Sequence, residues 1–251
     1  AGASLWSMAG GPREAAAILA VGGWTGSSEL WDGPLAALSL RWRCVTYDHR
    51  GTGQTVSAPD AITHERLVDD VFAVLDAHEI DRAVIAAESA GAAIVLSAAR
   101  RQPDRIAALV LVDPFIPTIP PPDDDPFVLA LRADYPATAA AFVDACAPHP
   151  AHEAIREQGR RILAASSAEH AVALLRADVP VPPLDDDAIT APTLLIHCAG
   201  DRIAPLAGAS RLADAIPGAS MFVLPGDEHV PTMTRPDEIA RLIDGWLSSL
   251  R

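Results

Sequence analysis

The stretch AVIAAESAGAAIVLSAARR, residues 83–101, decides the fold. An apolar run reaches a lone serine, Ser89, and an alanine-rich segment with helical spacing follows it at once. A run without polar alternation suits a strand covered on both faces, and a strand feeding directly into a helix is the repeating unit of a parallel sheet. Ala87 and Gly91 stand two positions either side of the serine. Side chains this small leave room for a sharp, strained turn between strand and helix. Glu88 is the one residue of the stretch this reading leaves without a task.

Working outward, the same kind of segment recurs. Residues 15–23, 43–50, 107–114, 193–200 and 220–227 are short apolar runs closed by Gly, Pro, Asp or Arg, and they read as further strands buried on both faces. Helical patterns fill most of the gaps, over 28–40, 62–78 and 236–250, the last with Pro236 placed for a first turn. The expected class is therefore α/β: a mostly parallel sheet flanked by helices.

The alternation breaks over residues 115–189. Pro- and Asp-rich punctuation bounds this stretch, and four helices are predicted within it, at 126–133, 136–145, 150–164 and 168–177. Helices inserted after a sheet strand make a cap over the strands' carboxyl ends, where such sheets place their sites. The expected division is a core of residues 1–114 and 190–251 with a helical cap (lid) of residues 115–189. The two Asp-Asp-Asp runs, 123–125 and 185–187, read as solvated loop ends, since three adjacent carboxylates make a poor metal cage.

A chain of 251 residues, 50% hydrophobic, can bury roughly three quarters of its unfolded surface in one core. Its net charge is −14 and it contains no lysine, a surface that repels phosphate backbones and anionic membranes. No apolar run reaches the length of a membrane span. The start, AGASLWSMAGG, has neither a charged leader nor an initiator Met and reads as trimmed. Cys44, Cys146 and Cys198 are too widely spaced for a C-x-x-C site and read as buried thiols in a reducing, bacterial cytoplasm.

Five motifs in order resemble those of the α/β-hydrolase family, over essentially the whole chain. AVGGWTGSSELW is similar to the loop after the family's third strand, YDHRGTGQT to its D-x-R-G-x-G turn, and AAESAGAA to its nucleophile elbow. LLIHCAGDRIAP resembles its acid turn, and LPGDEHVPTMTRPDEIA its histidine loop and final helix. Two departures stand out. Ala87 replaces the first glycine of G-x-S-x-G, and Gly22-Gly23 stands where the family usually carries His-Gly.

The chemistry is also legible from the residues. A serine hydroxyl is a weak nucleophile at neutral pH, so it needs a base within reach and a carboxylate to orient that base. Ser89, Asp201 and His229 each follow a predicted strand and would meet at one sheet edge. Asp113, after LVLV, is a rival acid. Ala90 would give one oxyanion N–H, and the resemblance implies Trp24 as the second. Glu88 and Glu228 directly precede the presumed nucleophile and base; they either face the pocket as acid/base groups or are paired structure. Asp48 and Arg50 read as turn braces, and His149 and His152 lack partners for a metal site. Arg132, Arg156, Arg160 and Arg161 either meet a substrate carboxylate or face solvent. Trp6, Trp31, Trp42 and Trp246 read as packing, whereas Trp24 is also placed to line a pocket.

The leading expectation is a cofactor-independent, metal-free serine hydrolase acting on an ester, lactone or related acyl bond of a small organic molecule. A second reading keeps the triad as a proton relay in a lyase that eliminates or cleaves carbon–carbon bonds, as the resemblance to capped menaquinone-pathway lyases allows. A third is a ligand-binding relative with little turnover. Oligomeric state is not legible.

Overall fold

The computed structural model describes residues 2–177 and 189–250. The second Asp-Asp-Asp run and the end of the 115–189 stretch lie outside them. Seven strands form one sheet: β1 (Ser7–Gly10), β2 (Ala17–Val21), β3 (Arg43–Tyr47), β4 (Ala83–Glu88), β5 (Ile106–Val112), β6 (Thr193–Cys198) and β7 (Ser220–Leu224). Their order is β1-β3-β2-β4-β5-β6-β7, and every neighbouring pair is parallel except β1 with β3. The mostly parallel sheet is as the sequence predicts.

The central strands are apolar because both faces are covered: β2, β4 and β6 are buried at every position. The sheet is flanked by α1 (Asp32–Leu38), α2 (His64–Ala77), α3 (Gly91–Arg101), α8 (Leu206–Ala215), α9 (Pro231–Thr234) and α10 (Pro236–Ser249). In α2 the apolar side is Leu67, Val68, Val71, Phe72, Val74 and Leu75, and Thr63 caps its start by accepting from the Arg66 N–H at 3.3 Å. Between β5 and β6 the chain adds α4 (Pro126–Ala133), α5 (Tyr135–Cys146), α6 (Glu153–Leu163) and α7 (Ala168–Ala177). Asp125 and Asp134 cap α4 and α5 with their carboxylates.

Three expectations need correction. β7 is not buried on both faces: it closes the sheet as an edge, with Phe222 44% and Val223 50% exposed. The pattern over 28–40 is a 3₁₀ turn, Ser28–Trp31, followed by α1, and that over 150–164 likewise opens on a 3₁₀ turn, Pro150–His152. β1 escaped notice because SMAG is short, small and largely exposed.

Two braces hold the turn after β3. Asp48 accepts from the Ser28 N–H at 2.8 Å and the Gln54 N–H at 2.7 Å, tying this turn to the loop after β2. Arg50 makes a two-pronged pair with Asp70 of α2, at 2.6 and 2.8 Å. Both partners are buried, so removing either would strand a charge at a cost of about 3–5 kcal/mol. Among the described residues no helix is long and apolar enough to cross a membrane.

Candidate functional site

Ser89 sits just past β4 with a positive φ of 51°, a region β-carbon-bearing residues avoid. Its N–H donates to the Val112 carbonyl at 2.9 Å and its carbonyl accepts from Phe115 at 3.1 Å, so both flanking bonds pin the turn against the end of β5. Gly91 explains how the turn closes. A β-carbon there would lie 2.5 Å from the Gly22 carbonyl oxygen, so the helix start and the loop after β2 touch only because that side chain is missing.

Position 22 is equally constrained. A β-carbon on Gly22 would lie 2.8 Å from the Gly26 carbonyl oxygen, so this folded-back loop has no room for a histidine. The loop is braced from the opposite side. His49, of the D-x-R turn, sets Nε2 3.0 Å from the Gly23 carbonyl, and Trp24 donates its indole N–H to the Ala171 carbonyl of α7 at 2.9 Å. Burial lowers the His49 pKa, and a neutral ring has one N–H to share between the Gly23 carbonyl and that of Arg50, 3.2 Å from Nδ1. Neither the Trp24 nor the Ala90 backbone N–H has an acceptor among the described residues.

The three sheet-edge residues meet. His229 Nε2 is 2.8 Å from Ser89 Oγ, and His229 Nδ1 is 2.6 Å from Asp201 Oδ2. Asp201 Oδ1 accepts from the backbone N–H groups of Ile203 at 2.8 Å and Ala204 at 3.0 Å. Three hydrogen-bonding partners thus converge on this carboxylate and fix its orientation. The His229 N–H donates to the Cys146 carbonyl at the end of α5, at 2.7 Å, tying the histidine loop to the inserted helices. An imidazole between hydroxyl and carboxylate can take a proton from the hydroxyl while the carboxylate steadies the resulting positive charge.

Asp113, the rival acid, is placed differently. It also has a positive φ, 41°, and is fully buried, but among the described residues its carboxyl has one short bond, from the Cys198 N–H to Oδ1 at 2.8 Å. Its Oδ2 has no partner among the described residues, and His197 Nδ1 stands 3.4 Å from Oδ1. Burial, with the Asp201 charge nearby, pushes the Asp113 carboxyl up to about 9. His197 went unnoticed in the sequence because nothing in LLIHCAG distinguishes it from an ordinary strand residue. Its Nε2 reaches the Ala204 carbonyl at 2.8 Å, so it supports the turn that carries Asp201. Asp113, His197 and Asp201 could together face an ion, but Asp201 and His197 Nε2 are committed to the bonds just described.

A pH test follows. Below about pH 4 the Asp113 carboxyl is neutral in folded and unfolded chains alike. From there to about pH 9 the unfolded chain releases the proton while the native one keeps it, so stability falls as pH rises across that window. Asp113→Asn removes this loss. Its unfolding free energy, measured by urea titration, should gain on the wild type steadily from pH 5 to pH 8; a constant difference would overturn the assignment of a neutral Asp113.

The two glutamates separate. Glu228 pairs with Arg235 at 2.6 Å and belongs to the paired alternative. Glu88 is 1% exposed, accepts from Thr232 Oγ1 at 2.6 Å through Oε1, and has no partner for Oε2 among the described residues. Thr232, three residues past His229, carries no sequence signal of this contact.

Ser89 lies between two cavities. One, of about 60 Å³, is lined by Glu88, His229, Val143, Cys146 and Met233 among others. The second, of about 310 Å³, is lined by Ala90, Phe115, Ile119, Phe127, Leu175 and Ile203 among others. Trp24, Ser89 and Phe142 border both, and Trp24 stacks with Phe127 and Phe142 at centroid distances of 5.3 and 5.0 Å. The five arginines of the described inserted helices line neither cavity and are ion-paired: Arg132 and Arg176 to Asp123, Arg156 to Glu153, Arg160 to Asp144 and Arg161 to Glu29. His149 and His152 lie together, 5.4 Å between ring centroids, away from both cavities. Cys44, Cys146 and Cys198 are free and buried.

A family model described as alpha/beta hydrolase fold matches residues 16–172. A Caulobacter vibrioides protein named "Putative carbamate hydrolase RutD" is 30% identical over 96% of this chain and 94% of its own length. Two solved structures are similar at 25% identity. An esterase from Thermogutta terrifontis has a TM-score of 0.85, covering 98% of this chain and 93% of its own. An enol-lactonase from Burkholderia xenovorans has a TM-score of 0.84, with 97% and 96% covered.

Proposed function

Because this chain belongs to the α/β-hydrolase family, we propose that it is a cofactor-independent serine hydrolase cleaving an ester, lactone or related acyl bond of a small organic molecule. The observation that carries the reading is the unbroken line of contacts from Ser89 Oγ through His229 to Asp201, at 2.8 and 2.6 Å. In this reading His229 takes the Ser89 proton as Oγ attacks the carbonyl carbon. The imidazolium then gives that proton to the departing oxygen or nitrogen. Water, deprotonated by His229, attacks the acyl-serine and frees the acid.

The negative oxygen of each tetrahedral intermediate sits between the Trp24 and Ala90 backbone N–H groups. One such donor is worth about 3 kcal/mol in the transition state. The relatives' printed activities, on carbamate, ester and enol-lactone, share a polarised carbonyl bearing a leaving heteroatom. Residues 115–189 act as the cap. Helices α5 and α6 line the smaller cavity and α4, α5 and α7 the larger, and together they keep bulk water from the acyl-enzyme.

A fluorophosphonate probe tests the nucleophile. Peptide mass spectrometry should find the adduct on Ser89, and hydrolysis of a substrate ester in ¹⁸O-labelled water should place one heavy oxygen in the acid product. No adduct, or a product free of label, would favour the proton-relay lyase and overturn the hydrolase reading.

A further inference from the structure

We propose that the narrow cavity beside Ser89 receives a short, uncharged polar group carried close to the substrate's reacting carbonyl, and that Glu88 is its hydrogen-bonding partner. This rests on the hydrolase reading above and names the substrate class that the site selects.

Size comes first. At about 60 Å³, the cavity has room for only a few non-hydrogen atoms, whereas the space on the other side of Ser89 is about five times larger. A substrate straddling Ser89 therefore places a small substituent in one and the rest of its body in the other. Trp24 and Phe142 form the wall between them.

Polarity comes next. The small cavity is walled largely by apolar groups such as Val143, Cys146 and Met233; beside Ser89 and His229 its polar lining is Thr25, whose hydroxyl is also unpartnered, and Glu88, the one carboxyl there among the described residues. Thr232 satisfies only one of its oxygens; the other is fully buried with no partner among the described residues, and a turn of the carboxyl toward the cavity lets a ligand meet that hydrogen bond. Glu228 offers no such opening, because Arg235 already holds it. Among the described residues no arginine lines either cavity, and the chain has no lysine, so no cationic side chain there matches a carboxylate or phosphate. Burial pushes the Glu88 carboxyl up to about 8, which keeps it neutral at neutral pH. A neutral carboxyl donates and accepts at once. Hydroxyl and primary amide groups do the same, so a hydroxyacyl or carbamoyl group fits where an alkyl or an anionic group does not.

The test compares aryl esters whose acyl part is propionyl, hydroxyacetyl, carbamoyl or pentanoyl. A second series of phenylacetate esters of ethanol and ethylene glycol places the polar group on the leaving side. Each kcat/KM is divided by the rate of hydrolysis with hydroxide, which removes intrinsic reactivity; the carbamoyl ester, which hydroxide cleaves by elimination through its N–H, is instead compared between wild type and the Glu88 variants. Wild type should favour the polar member over its alkyl counterpart by about tenfold or more in one series, and that series identifies which side of the carbonyl enters the cavity. If the acyl side enters it, pentanoyl should also be the poorest acyl group. Glu88→Met should erase the polar-over-alkyl ratio and Glu88→Gln should keep it, since an amide also donates and accepts. Equal ratios in both series for wild type overturn the inference, a result that needs no variant to fold. If Ser89→Ala retains turnover, the hydrolase reading itself fails; if Ser89→Ala is inactive and the ratios are flat, only the role of Glu88 falls.

Discussion

Ser89→Ala lowers kcat for an activated aryl ester by about 10⁴-fold or more, while KM changes little. The reason is chemical. In the proposed mechanism the alanine leaves His229 and the Trp24 and Ala90 N–H groups in place but removes the atom that would form the acyl-enzyme, so only direct attack by water remains. The residual rate should be that of an oriented carbonyl in a polarising site, still above the uncatalysed rate. The substitution removes one hydroxyl whose hydrogen bond is to His229, and leaves the backbone bonds to Val112 and Phe115 intact. The fold should therefore persist, with a thermal unfolding midpoint close to wild type. A folded Ser89→Ala protein within tenfold of wild-type turnover would sink the proposal. His229→Ala should fall by a similar factor, and the two changes together by little more than either, because the residues work as one unit.

What the sequence made legible was local. The bounds of β4 and of helices α4 and α7 follow from continuous apolar runs and from capping or breaking residues within a turn of each end. The order of Ser89, Asp201 and His229 along the chain was readable because each follows its own strand, and parallel strands bring such positions to one edge. The exposure of β7 was not readable. Ser-Met-Phe-Val-Leu is as apolar as an inner strand, and its position at the edge depends on where the sheet stops. The different fates of Glu88 and Glu228 were equally hidden. Each precedes a candidate catalytic residue, and what separates them is Arg235 beside one and Thr232 beside the other. The missing family histidine is the same kind of case. Its consequence was decided by Gly26 folding back against Gly22 and by His49 reaching Gly23 from a separate turn.

Asp201→Asn and Asp113→Asn should part sharply, although both residues are buried acids just past neighbouring strands. In the wild type, Asp201 Oδ2 accepts from Nδ1 of His229, so Nε2 presents a lone pair to Ser89. Asp201 Oδ1 is held by two backbone N–H groups, and an asparagine would keep its carbonyl oxygen there. Its NH₂ would then point at Nδ1. Two donors cannot face one another, so the ring would carry its proton on Nε2 and lose the capacity to deprotonate Ser89. Turnover should fall by about 10⁴-fold at neutral pH with the fold preserved, the expected cost of the wrong tautomer. Asp113→Asn replaces a carboxyl that burial already keeps neutral, and no hydrogen bond or ion pair joins it to His229 among the described residues. Its kcat should stay within about tenfold of wild type. The pair of variants thus assigns the acid by comparison: a large loss at Asp113 with a small one at Asp201 would move that role to the other strand. Parallel large losses would make the Asp113–His197–Asp201 cluster a single working unit and overturn the separate roles of the two acids.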